Sequence, residues 1–221
     1  ILTIIMLIYI EGNIGSGKST FANLLNEYFN KTDKKIIQEP VDQWLELKDT
    51  EGVTILDNFY RDQDKWSFPF QMNSFISRVN LINETRKNNP GTSVFFVERS
   101  VFTDKYRFAK NLYESGKINK IEWDIYTRWH SWLVENFKVE PDAYIYLKTD
   151  PEISHQRIKK RCREGEDGIP IEYLKELHDK HEVWMADERN IRPVVTLEVI
   201  KDFTNSESME SFVNEINKII K

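Results

Sequence analysis

The sequence predicts an α/β fold with a five-stranded parallel sheet flanked by helices, and three observations carry that prediction. Five short runs are apolar throughout instead of alternating, as strands buried on both faces require. The segments between them place apolar residues at steps near 3.6, the period of an amphipathic helix. The first run opens directly into a glycine-rich loop and then a helical pattern, the start of a doubly wound unit.

The elements follow in order. Leu2–Ile10 is the first strand. Phe21, Leu24, Leu25 and Tyr28 mark the helix after the glycine-rich loop. Lys35-Ile36-Ile37-Gln38 is the second strand, stopped at Glu39-Pro40 because proline has no N–H to donate. Val94-Phe95-Phe96-Val97 is the third and ends at Glu98-Arg99-Ser100. Ile118, Ile121, Ile125, Trp132, Leu133 and Phe137, with Trp129 close by, predict one apolar helix face. Ala143-Tyr144-Ile145-Tyr146-Leu147 is the fourth strand, after Pro141-Asp142. Pro170 suits a helix start, and Ile171, Leu174, Leu177, Trp184 and Met185 continue that helix's face. Val194-Val195-Thr196-Leu197 is the fifth strand, and Asn205 is placed to cap a last helix carrying Met209, Phe212, Val213, Ile216 and Ile220. With no repeat, low-complexity stretch or linker, residues 1–221 read as a single domain.

Composition narrows the function classes. Over 221 residues there are 31 basic and 36 acidic side chains, a net charge of −5. That balance argues against coating nucleic acid or an anionic membrane as the main task. With 40% hydrophobic and 13% aromatic residues the chain is not intrinsically disordered. The single cysteine, Cys162, cannot form an internal disulfide, so a reducing, cytoplasmic setting is expected. The longest apolar run, Ile1–Ile10, is about half a membrane span and lacks a signal peptide's flanks. Its nearness to the first residue leaves no mitochondrial transit peptide expected.

Gly12-Asn13-Ile14-Gly15-Ser16-Gly17-Lys18-Ser19 matches G-x-x-x-x-G-K-[ST] in full, between a strand and a helix, with Thr20 a further phosphate-binding candidate. Glycines let backbone N–H groups converge on phosphate oxygens, Lys18 adds a positive charge near the β- and γ-phosphates, and Ser19 is a candidate Mg²⁺ ligand. Gly15-Ser16-Gly17 lacks the third glycine of a dinucleotide fingerprint. The motif therefore predicts binding of a nucleoside triphosphate.

In open α/β sheets ligands gather beyond the carboxyl ends of the strands. Glu39, Glu98 and Arg99 end the second and third runs there, and three charges converging on one rim favour function over exposed turn residues. Glu39 is a candidate base for an incoming hydroxyl, Arg99 a stabiliser of the transferred group, and Glu98 a second Mg²⁺ ligand, directly or through water. Arg157, Lys159, Lys160, Arg161 and Arg163 precede Glu164, Gly165, Glu166, Asp167 and Gly168. A nucleic-acid patch, a solvated helix end and a mobile arginine lid over a triphosphate compete here. The adjacent acids weaken the first and the glycines favour the lid.

These residues resemble the deoxyribonucleoside kinases, in particular their deoxycytidine, deoxyadenosine and deoxyguanosine branch. The resemblance runs from the phosphate loop to the final helix. Its specific pieces are Gln38-Glu39-Pro40-Val41 with Trp44, Trp66 to Gln71 with Ser77-Arg78, and Glu98 to Phe102 with Asp104. Asn111 to Ser115, Arg161-Cys162-Arg163 and Gly168 to Leu174 complete them. The resemblance implies a P-loop kinase fold with an arginine-rich lid, a homodimer, Mg²⁺, and ATP or a similar triphosphate as phosphate donor. Glu39 would deprotonate the 5′-hydroxyl of a deoxynucleoside, while Arg99 would steady the 5′-oxygen and the moving phosphoryl group. Tyr60 and Glu166 would hold the 3′-hydroxyl. Trp44, Phe70 and Phe108 would line the base pocket, Gln71 would bond the base edge, and Arg157, Arg161 and Arg163 would clamp the donor phosphates. Lys201-Asp202-Phe203 resembles the loop that touches the donor base.

Several of these have plainer readings: Trp44, Phe70 and Phe108 as core aromatics, Tyr60 as a surface residue. His178 and His181 are taken as ordinary helix residues. Arg78 and Asp104 stand where thymidine-accepting members resemble methionine and alanine, so thymidine is expected to be a poor substrate. Ser74 beside them leaves a purine open. Glu164-Gly165 departs from the usual lid, and Arg107, standing where an apolar residue is usual, is expected at a dimer face. Two other functions compete. A monophosphate kinase of thymidylate-kinase type is disfavoured because Glu39 would repel an acceptor phosphate. A non-catalytic subunit of this fold is disfavoured because Lys18, Ser19, Glu39, Glu98 and Arg99 are all intact.

Overall fold

In the computed structural model, which describes residues 5–30, 32–162, 168–200 and 206–220, all five predicted strands form. They are β1 (Met6–Glu11), β2 (Lys34–Ile37), β3 (Val94–Glu98), β4 (Ala143–Lys148) and β5 (Val194–Glu198). All pairings are parallel, in the order β2-β3-β1-β4-β5, with Ile8 level with Phe96 on one side and Ala143 on the other. Alternate residues of each strand feed two separate cores. Leu7, Tyr9, Phe95, Val97, Tyr144 and Tyr146 face one side, and Ile8, Ile10, Phe96, Ile145 and Leu147 face the other. A run with apolar demand on both faces cannot alternate, which is why these strands read as continuous hydrophobic stretches.

Helix α1 (Lys18–Tyr28) covers the second face with Phe21, Ala22 and Leu25, joined by Val213 and Ile216 of the C-terminal helix Ser206–Asn217. The other face is covered by α2 (Val41–Glu46), α3 (Ile55–Arg61), α4 (Gln63–Asn88) and the segment after β3. That segment begins as α5 (Val101–Thr103), widens into a π-helical turn at Asp104–Ala109 and resumes as α6 (Lys110–Glu114). Then come α7 (Lys120–Phe137), α8 (Pro151–Arg161) and α9 (Ile171–Glu188); the C-terminal helix is α10. Among the described residues no helix is long and apolar enough to cross a membrane.

Two expectations are corrected. The apolar face of α7 is split: Leu133 is buried, but Ile121, Ile125, Trp129 and Trp132 are exposed, and the core side is Tyr126, His130 and Leu133. Tyr126 and His130 pack on Phe75 with ring centroids 5.5 and 5.6 Å away, so aromatic rings with polar edges took the inward stripe. Arg107 does not stand on an outer face. It is buried with its guanidinium 5.2 Å from the Trp184 ring, because the π-helical turn rotates it towards α9. The helix from Pro170 behaves as expected, with Leu174, Leu177, Trp184 and Met185 buried. Asn205, Arg163, Glu166, and Lys201-Asp202-Phe203 lie outside the described residues, as do Glu164 and Gly165; so does the side chain of Met209.

Candidate active site

The glycine loop follows β1 at the centre of the sheet. Gly15 has φ 74°, and a Cβ there would stand 2.5 Å from the Ser154 carbonyl oxygen, so the loop packs backbone to backbone on the start of α8. Only glycine satisfies both conditions. Gly12, Asn13 and Ser16 form the frame of the loop and do not line the cavity described below. Asn13 Nδ2 donates to the Leu174 carbonyl at 2.8 Å, and Ser16 is fully buried, its carbonyl accepting from Thr149 Oγ1 at 3.2 Å. Lys18 Nζ donates to the Gly12 and Asn13 carbonyls at 3.1 and 2.7 Å. Burial, reinforced by the charge of Arg99, pulls the Lys18 ammonium down to about 7.

Beyond β2 and β3 the acidic and basic groups interlock. Ser19 Oγ donates to Glu98 Oε1 at 2.6 Å, and the Glu39 N–H reaches Glu98 Oε2 at 3.4 Å. Glu39 Oε1 is shared by Arg78 Nη2 at 2.8 Å and Arg99 Nε at 3.2 Å. Burial alone would raise the Glu39 carboxyl, but Arg99, Arg78 and Lys18 outweigh it and hold it well below the usual carboxylate range. Arg78 is fully buried: its Nε donates to Asp104 Oδ2 at 2.9 Å and its Nη1 to the Glu98 carbonyl at 3.0 Å. Arg99 has φ 63°, a left-handed backbone that costs a non-glycine residue about 1–2 kcal/mol. From that turn its guanidinium reaches to 4.8 Å from the Phe108 ring.

A cavity of about 600 Å³ opens between this network and the loop. Ile14, Gly15, Gly17, Lys18, Ser19 and Thr20 line its loop end, Glu39, Glu98 and Arg99 its middle, and Arg157 and Arg161 its α8 side. Trp44, Tyr60, Phe70, Gln71, Ser74, Asp104 and Phe108 line the rest, so every described residue expected to contact the nucleoside is there except Arg78, which bonds Asp104 from behind it. The aromatic wall is organised by Phe70, 5.5 Å edge-on to Trp44 and 4.7 Å stacked on Phe59, and Trp44 Nε1 donates to Ser77 Oγ at 2.9 Å. Val41, Leu56, Phe59, Gln63, Lys160 and Tyr173 also line the cavity and were not anticipated. Lys160 stood within the basic cluster, which was a usable signal; the others carried no mark that separates a pocket wall from core. Glu11, a charge ending an otherwise apolar strand, is fully buried behind the cavity wall.

Fold and site together define a P-loop phosphotransferase, with a triphosphate-type loop facing a carboxylate held between two arginines. The profile of the deoxynucleoside kinase family matches residues 8–221. Human deoxycytidine kinase is 37% identical, the alignment covering 96% of this chain and 90% of that protein. Deoxycytidine kinase 2 of Gallus gallus is 36% identical over 96% and 89%, and human mitochondrial thymidine kinase 2 is 38% identical over 80% and 63%. The chain belongs to the deoxynucleoside kinase family and is a kinase of nucleoside salvage that uses a nucleoside triphosphate as phosphate donor. The monophosphate-kinase and non-catalytic alternatives are not favoured.

Proposed function

We propose that this kinase moves the γ-phosphate of ATP or a similar triphosphate to the 5′-hydroxyl of deoxycytidine, deoxyadenosine or deoxyguanosine, in preference to thymidine. The observation that carries the reading is Glu39 Oε1, held by Arg78 at 2.8 Å and Arg99 at 3.2 Å where the cavity meets the phosphate loop. An ionised carboxylate there accepts the 5′-hydroxyl proton as the oxygen attacks. Arg99 and Lys18 neutralise charge on the transferring group, and the loop residues that line the cavity, Ile14, Gly15, Gly17, Ser19 and Thr20, hold the remaining phosphates. Ser19 and Glu98 offer oxygen donors 2.6 Å apart, the kind a hard divalent cation takes, so they suit Mg²⁺. When bound, Mg²⁺ offsets negative charge on the phosphate oxygens.

The Arg78–Asp104 pair supports the base preference, since its polar face suits an exocyclic amine or carbonyl and would meet the thymine methyl with desolvated charge. Tyr60 with Glu166 is assigned to the 3′-hydroxyl, and Gln71 with Ser74 to the base edge. Trp44, Phe70 and Phe108 supply its apolar walls. Arg157, Arg161 and Arg163 are assigned to a lid over the donor phosphates, and Lys201-Asp202-Phe203 to the donor base. Residues 1–221 form one kinase domain that pairs through the exposed stripe Ile121, Ile125, Trp129 and Trp132 of α7. No nucleic-acid polymer or membrane is among its partners, and the exposed thiol of Cys162 suits a reducing cytoplasm.

The test is phosphoryl transfer from ATP to the four deoxynucleosides and to deoxythymidine monophosphate. Turnover of deoxycytidine or the purine nucleosides, with thymidine far slower, is the expected result. Preference for thymidine would overturn the base assignment, and turnover of the monophosphate alone would overturn the role of Glu39.

A further inference from the structure

The peptide that joins Arg99 to Ser100 is gripped at both ends. Its carbonyl, on Arg99, accepts from Arg78 Nη1 at 3.4 Å, and its N–H, on Ser100, donates to Glu11 Oε1 at 2.9 Å. Arg99 also donates its own N–H to the Ile10 carbonyl at 2.9 Å, and Ser100 Oγ caps the Thr103 N–H at 3.2 Å. A left-handed non-glycine residue persists only where its surroundings over-determine it. Here the bond after Arg99 is fixed by a side chain on each side, and one of them is a carboxylate with no exposed surface.

Glu11 is not part of the cavity wall, yet it is the last residue of β1 and precedes Gly12 of the phosphate loop. A buried carboxylate is retained against its desolvation cost only when charges or hydrogen bonds compensate it. Arg99 Nη1 and Arg107 Nε are buried without a direct hydrogen-bond partner among the described residues, and the Glu11 carboxylate is favoured by the Arg99 charge, by the Ser100 and Thr103 hydroxyls and by the field of Arg107. The carboxylate therefore ties the strand that launches the donor loop to the turn that launches Arg99.

We infer that Glu11 is a positioning residue for phosphoryl transfer: by holding the Arg99–Ser100 peptide and facing the Arg99 charge, it keeps the guanidinium in register with the phosphate loop. The inference rests on the role proposed above for Arg99. A misplaced Arg99 costs rate more than affinity, because it meets the charge that develops at the 5′-oxygen and transferring group, while the contacts assigned to base and sugar lie elsewhere in the cavity.

A double-mutant cycle on the full chain tests this, with kcat, KM for ATP and deoxycytidine, and melting temperature read for each variant. Glu11→Gln keeps an oxygen for the Ser100 N–H and removes the charge. Arg99→Met is expected to lower kcat, and E11Q to lower it by about 10²-fold with KM changed less than about threefold. In the R99M background E11Q is expected to change kcat by less than about threefold, since the group it positions is gone. E11D keeps the charge but withdraws it from Ser100; it should lose kcat likewise and supplies the same cycle if E11Q does not fold. If R99M leaves kcat intact, the role of Arg99 fails and takes the inference with it. If R99M is impaired while the Glu11 variants keep wild-type kcat, or cost their full factor in the R99M background, only the inference is overturned.

Discussion

At Glu39 one oxygen serves two guanidinium groups, and this sets both its charge and its use. Arg99 and Arg78 keep it ionised, and in the transfer proposed above proton movement to it would gain its drive from the attacking oxygen as the P–O bond forms. Glu39→Gln should lower kcat by about 10²–10⁴-fold. Deoxycytidine should still bind it, which isothermal titration calorimetry will read. The depressed carboxyl also predicts stability: its contribution is complete above the ordinary carboxylate range and is lost as pH falls through the lower folded value. Urea unfolding from pH 7 to pH 3 should therefore show a steeper loss for the wild type than for E39Q. Lys18 runs the other way. Its ammonium, drawn down to about 7 by burial, discharges near neutrality in the free enzyme. The kcat/KM for ATP should fall as pH rises through about 7, while kcat, measured with phosphates bound beside the ammonium, keeps its plateau to higher pH.

Among the elements, α7 separates stability from assembly. Its N-terminus is closed by a capping box: Asn119 Oδ1 accepts from the Ile121 and Glu122 N–H groups at 2.9 and 3.0 Å, and Glu122 Oε2 accepts from the Asn119 N–H at 2.9 Å. Asn119→Ala should cost about 1 kcal/mol of unfolding free energy, read by urea denaturation, with kcat unchanged. On its outer face Trp129 and Trp132 meet edge-on at 5.7 Å, about half exposed. Trp132→Glu should convert the proposed dimer to a monomer in sedimentation velocity, and a wild type that already sediments as one chain would refute the dimer. This helix also shows where sequence periodicity stops informing. Two adjacent stripes are apolar, and the pattern alone does not say which faces α4. The inner stripe, with Tyr126 and His130, is the more polar of the two. The central strands β1, β3 and β4 were legible because burial on both faces leaves no such choice. The π-helical turn at Asp104–Ala109 left no mark, since no residue type demands a π turn; it aims Asp104 and Phe108 at the cavity and Arg107 at Trp184.

Across the whole molecule, Arg78 joins parts that are remote in sequence: Glu39 after β2, the carbonyls of Glu98 and Arg99 at the end of β3, and Asp104 in the π-helical turn. The sequence made the Arg78–Asp104 pair legible through its place in a family motif. The link from Arg78 to Glu39, and from Glu11 to Ser100, depended on which strand ends the sheet order brings together, and strand order is not written in local pattern. The hub makes a prediction that treats pocket and fold as one system. Arg78→Met leaves Asp104 a buried carboxylate without its cation, and breaking a buried pair from one side costs about 3–5 kcal/mol. Asp104→Ala leaves Arg78 paired with Glu39 at 2.8 Å, so its cost should be smaller. The double variant removes both charges from that wall and should be less destabilised than the sum of the single changes, because the orphaned carboxylate no longer exists. Urea unfolding of the four proteins measures that coupling. The same double variant should raise kcat/KM for thymidine relative to deoxycytidine, since the wall facing the base is then apolar. A strictly additive cycle would mean that the pair does not act as a unit, and unchanged substrate preference would mean that it does not read the base.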